Sequence, residues 1–109
     1  LKRMKKNNLT TKETFALALQ HHKKNSFQTA EQLYKKILEI EPDHVESNFR
    51  LGSLLVQTRN FDTAQQLLNK VIQIDPNHAK AHNNLGIAFQ KTKKYQKSRF
   101  PQNKQPPKG

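Results

Sequence analysis

The chain has 109 residues, enough for one small domain, and with 33% hydrophobic residues and a mean hydropathy of -0.97 it has too little apolar material for a large core around a substrate cavity. It has no cysteine, which excludes disulfides, thiolate zinc sites and cysteine nucleophiles, and its apolar runs are far short of a membrane span, so a cytoplasmic location is expected. The net charge of +12 sits at the ends: five basic residues fall within 1–12 and seven within 91–109, without one acid, while eight basic residues face eight acids between Glu13 and Gln90.

Residues 1–10 read as a basic flank. The first helix is expected over roughly 11–24, because Thr10 and Glu13 have capping-box spacing and apolar residues then recur at three and four. A polar connection at Asn25-Ser26 leads to a second helix over 27–40, which Pro42 closes. Asp43 and Glu46 repeat the capping-box spacing and predict a third helix over 45–58. A fourth follows Arg59-Asn60 over 61–74 and is stopped by Pro76. A fifth is expected over 79–92, with a connection at Lys93-Lys94 and a short sixth from Tyr95 that Pro101 interrupts. Residues 100–109 read as a solvated, flexible tail.

These elements are copies of one another at an offset of 34 residues. Phe27 falls on Phe61 and Tyr95, Ala30 on Ala64, Leu33 on Leu67, Ile40 on Ile74, Pro42 on Pro76, His44 on His78, Leu17 on Leu51 and Leu85, and Gly52 on Gly86. Each unit is a helix pair, the units being 11–44, 45–78 and a partial 79–99. Glycine inside a helix costs about 1 kcal/mol against alanine, so Gly52 and Gly86 at one repeat position predict close helix crossings, with Ala30 and Ala64 opposite. Phe27 and Phe61 are expected to plug the joints between units.

Residue by residue the pattern resembles the tetratricopeptide repeat. Leu51, Gly52, Leu55, Ala64, Leu68 and Pro76 fall on it, with Asn48 at the bulky first position and Val71 for the second alanine. The first unit offers Leu17, Ala18, His21, Ala30, Tyr34, Ile37 and Pro42, and the third Leu85, Gly86, Phe89, Tyr95 and Ser98. The resemblance implies an all-α fold, a right-handed superhelix of antiparallel helix pairs with about two and a half repeats. It further implies a protein-protein interaction module, an adaptor or scaffold that binds a peptide or partner helix on the concave face formed by the first helices of the units. On that face it places Phe15, Leu19, Phe49, Arg50, Ser53, Lys80, Asn83, Asn84 and Ile87, together with Glu46 and Gln57. Phe15, Phe49 and Ile87 are expected to seat apolar groups or, for the two rings, to pack on neighbouring helices; Arg50, Asn83 and Asn84 suit a backbone or an acidic group.

Within the family, grip of a partner's terminal carboxylate is disfavoured, since only Lys80 matches that set while Phe15 and Leu19 stand where polar residues are needed. Asn84 and the run Ala81 to Gly86 resemble repeats attached to bacterial transferases, so an amino-terminal substrate-recruiting segment of a larger transferase is one alternative. Nucleic-acid or anionic-surface binding through the basic flanks is another. Self-association through the incomplete third unit is a further expectation. No cofactor and no enzymatic activity are expected: no carboxylate pair, phosphate loop or activated nucleophile is present, and His78 with His82 has no third ligand nearby.

Overall fold

The computed structural model describes residues 9–99, which form five helices: α1 (Thr11–Lys23), α2 (Phe27–Ile40), α3 (Val45–Gln57), α4 (Phe61–Ile74) and α5 (Ala79–Arg99). Successive helices pack pairwise along the chain, α1 on α2, α2 on α3, α3 on α4 and α4 on α5, which makes an all-α solenoid of two helix pairs and a fifth helix. Among the described residues there is no strand, and no helix is long and apolar enough to cross a membrane.

The first four helices keep the expected bounds to within one residue. Thr10 starts α1 through a capping box: the Glu13 N–H donates to Thr10 Oγ1 at 3.0 Å and the Thr10 N–H to Glu13 Oε1 at 2.9 Å. The turn after α1 is a Schellman motif. Asn25 takes φ 64, the Ser26 N–H reaches His21 O at 2.8 Å and the Asn25 N–H reaches His22 O at 3.0 Å. One repeat later Arg59 takes φ 67, with the Asn60 N–H on Leu55 O at 2.7 Å and the Arg59 N–H on Val56 O at 3.1 Å.

Three expectations are corrected. The second capping box does not form: α3 begins one residue later than Asp43 requires, His44 is its cap, and the Asp43 carboxylate instead lies 3.2 Å from Lys70 Nζ. The turn at Lys93-Lys94 is absent, because α5 runs without a break through both residues. The reason lies downstream: Ala30, Leu33 and Tyr34 of α2 correspond to Ser98, Pro101 and Gln102, so no apolar stripe would reward a left-handed residue at Lys93, and lysine favours helix. Gly86 is therefore not at a crossing. A Cβ there would meet nothing within 4 Å, whereas one on Gly52 would meet Leu68 Cγ at 2.8 Å and Cδ2 at 2.9 Å.

The core follows the repeat in two linked clusters. One gathers Ala18, Ala30, Tyr34, Leu51, Leu54, Leu55 and Ala64, the other Phe49, Leu68, Val71 and Ala81. Ala30 and Ala64 are fully buried, as close packing of the pairs requires, and Phe27 packs half-buried against the first cluster. Burying a side chain such as Leu54 or Leu68 is worth about 1.5–3 kcal/mol.

The turns after the second helices are tied down by a polar clamp that also repeats. Asn48, buried where a bulky residue was expected, donates from Nδ2 to Pro42 O and His44 O, each at 3.0 Å. His82, 34 residues on, donates from Nε2 to Pro76 O at 2.8 Å, which fixes the proton on that nitrogen.

Candidate partner-binding face

Side chains join α1 to α3 and α3 to α5. His22 Nε2 of α1 lies 2.7 Å from Gln57 Oε1 of α3, and Asn84 Nδ2 of α5 donates to Ser53 Oγ of α3 at 2.7 Å. The glutamine oxygen can only accept, so His22 Nε2 carries the proton and Nδ1 is left to accept from the Tyr34 hydroxyl at 3.1 Å. Tyr34 is fully buried; burial pushes its phenol up to about 12, with Arg50 opposing the shift and Glu46 adding to it.

Of the nine residues assigned to this face, the structure brings together Ser53 and Asn84. Ser53 also donates to Phe49 O at 2.9 Å, so its hydroxyl is engaged on both sides. Arg50 is held beside Glu46, with Nε 3.8 Å from Oε1 and the guanidinium carbon 5.5 Å from the Phe49 ring centroid. Its Nε is buried and makes no hydrogen bond, while the side chain as a whole keeps 40% of its exposure. Leu19 and Ile87 are half-buried, and Lys80 and Asn83 are exposed.

The two phenylalanines are committed to packing. Phe49 is 6% exposed and sits 4.7 Å from the His78 ring; Phe15 is half-buried, 5.6 Å from His44 and 6.0 Å from Tyr34. Both rings thus make the contact with neighbouring elements that was the second of the two expectations for them.

Sequence reasoning missed the histidines that hold those rings. His44 Nδ1 accepts from the Ser47 N–H at 3.1 Å and His78 Nδ1 from the Ala81 N–H at 3.1 Å, so each caps a first helix and presses its ring on the phenylalanine of the preceding unit. Their exact repetition one residue ahead of a helix was the available signal, but histidine is outside the usual capping set. Both rings of the His78 and His82 pair thus bond to the protein, and among the described residues no group of three or more His, Cys, Asp or Glu side chains can hold a metal.

Among the described residues, a surface groove also lies away from this face. It holds about 320 Å³ and is formed by Leu9, Thr11, Thr14, Ile37 and Ile40, between the start of α1 and the end of α2. The six basic residues of the 1–10 flank and the 100–109 tail lie outside the described residues.

The family profile described as tetratricopeptide repeat matches residues 21–86. No curated protein matches the chain. Among solved structures it is similar to one described as "MamA RS-1 ArsTM double mutant", with a TM-score of 0.75 and 22% identity over 85% of this chain and 51% of that one. The chain spans about half the length of that neighbour, and the likeness is one of fold.

Proposed function

Because the chain belongs to the tetratricopeptide repeat family, whose repeats mediate contacts between proteins, we propose that it is an adaptor or scaffold module that binds an extended peptide or partner helix along α1, α3 and α5. Arg50 is the observation that carries this reading. Its guanidinium is positioned by Glu46 and the Phe49 ring, its Nε has no hydrogen-bond partner, and the rest of the group remains accessible to an acceptor. A carboxylate or carbonyl of the partner would accept from the accessible terminal nitrogens of that guanidinium, and a charge-assisted hydrogen bond is worth about 1.5–3 kcal/mol where solvent is displaced.

The neighbouring groups suit the remainder of a peptide. Asn83 offers an exposed amide for backbone recognition, Leu19 and Ile87 offer half-buried apolar surface, and Lys80 favours an acidic residue. The bonds from His22 to Gln57 and from Asn84 to Ser53 hold the three helices in register, so little ordering remains to be done at binding.

The reading is tested by screening the chain against an array of extended peptides, with wild type beside an Arg50→Ala, Asn84→Ala double variant. The double variant is expected to lose about tenfold or more in affinity for the selected peptides. Equal binding by both would remove the assignment of this face.

A further inference from the structure

A second face of α5 is built like a packed one and is not covered by any described residue. In α3 the stripe Asn48, Leu51, Gly52 and Leu55 is buried, and Leu68 of α4 sits within 3 Å of where a Gly52 Cβ would lie. Thirty-four residues on, Leu85 is half-buried and His82, Gly86 and Phe89 are exposed, Phe89 by 51%. No described residue plays the part of Leu68 over Gly86. Helical periodicity sets this stripe on a different face from Lys80, Asn83, Ile87 and Lys91. In sequence, residues 100–109 lack the repeated apolar positions of α2 and α4: they hold three prolines and one large apolar side chain, Phe100.

The charge on α5 selects the occupant. Lys80, Lys91, Lys93, Lys94, Lys97 and Arg99 belong to this helix, which contains no acid, and exposed Lys93 follows Phe89 by four residues on the bare stripe. Pairing with α5 of a second copy would set cations against cations. A helix antiparallel to α5, as the second helix of a pair runs against its first, would bring its own amino terminus beside Lys93. Acidic side chains there would meet the lysine and complement their own helix dipole.

We propose that this face docks a helix of a partner protein in trans, amphipathic, acidic in its first turn and carrying aliphatic residues at the spacing of Leu67, Leu68 and Val71, so that the partner completes the third unit. Gly86 is the close-approach point, and Phe89 is the apolar anchor.

The test uses the full chain and a fluorescein-labelled helical peptide that repeats the α4 pattern of residues 61–74 with glutamates in its first turn, followed by fluorescence anisotropy. Saturable binding is expected, weakened about tenfold or more by Gly86→Leu and by Phe89→Ala and left unchanged by Arg50→Ala, whose side chain belongs to α3. Circular dichroism checks that each variant keeps the helix content of wild type; Gly86→Leu is at an exposed helical position and should. A matched peptide with lysines in place of the glutamates should bind more weakly. No saturable binding, binding unaffected by Gly86→Leu, or equal binding of the lysine peptide would each overturn the proposal. A concentration-dependent dimer in sedimentation that Gly86→Leu abolishes would overturn it in favour of a second copy. Because Arg50→Ala reads the other face, failure here leaves the peptide-binding reading standing, and the reverse.

Discussion

The ring of His78 lies 4.7 Å from that of Phe49, while its Nδ1 accepts from the Ala81 N–H at 3.1 Å, beside the bond that this N–H makes to His78 O at the start of α5. One side chain thus caps a helix and joins two units. His78→Ala removes both functions and is expected to lower stability by about 1–2 kcal/mol in urea unfolding. His78→Asn, which keeps a capping oxygen, should recover part of that loss. Phe49→Ala opens a cavity in the second cluster and should cost about 3–5 kcal/mol.

The two glycines predict opposite responses to the same change. Gly52→Ala forces a methyl against Leu68 Cγ and Cδ2, an overpacking cost of about 1–3 kcal/mol that outweighs the roughly 1 kcal/mol gained from helix propensity. Gly86→Ala meets no neighbour and should raise stability by up to about 1 kcal/mol. Thermal melts of the two variants should move in opposite directions; a shared direction would contradict the spacing at Gly52.

The left-handed residues at the two Schellman turns predict another pair. Arg59 holds φ 67 with a full side chain, a conformation that costs a non-glycine residue roughly 1 kcal/mol, so Arg59→Gly should stabilise by about that amount. Asn25→Ala replaces a residue that tolerates φ 64 with one that does not and should destabilise by a comparable amount. Urea midpoints report both.

Tyr34 gives a pH dependence. Below pH 10 the phenol is neutral in folded and unfolded chains alike, and its contribution is fully present. As pH rises from 10 towards the folded value of about 12, the unfolded chain releases the proton and the folded chain keeps it, so stability falls. Tyr34→Phe should flatten this alkaline slope, read from unfolding curves between pH 9 and about 12, although it also removes the hydroxyl bond to His22 at neutral pH.

How far the fold was legible depends on where periodicity had partners. The offset of 34 placed the first four helices because each repeated apolar position meets another one, as Ala64 and Leu68 meet the α3 stripe. It failed after Lys93, where the copied turn position had no apolar helix beyond it to stabilise a break. It located the first-helix side chains but could not tell a packed ring from an available one, since Phe49 and Ile87 both read as apolar on one face. Only the position of His78 separates them. The clamps from Asn48 and His82 were invisible for a related reason: a polar residue at a core position signals nothing until its acceptor, a proline carbonyl six residues back, is seen.

The bond from His22 to Gln57 bridges 35 residues, the longest span among the side-chain hydrogen bonds of the described residues. Among the described residues, no side-chain hydrogen bond asks the folding chain to find a partner much more than one repeat away. Loop-closure entropy stays small at every step, and helical topologies of such local character fold in about microseconds to milliseconds. Structure formed at either helix pair can spread to the next without waiting for the ends to meet, so the order of assembly is set by local stability along the array.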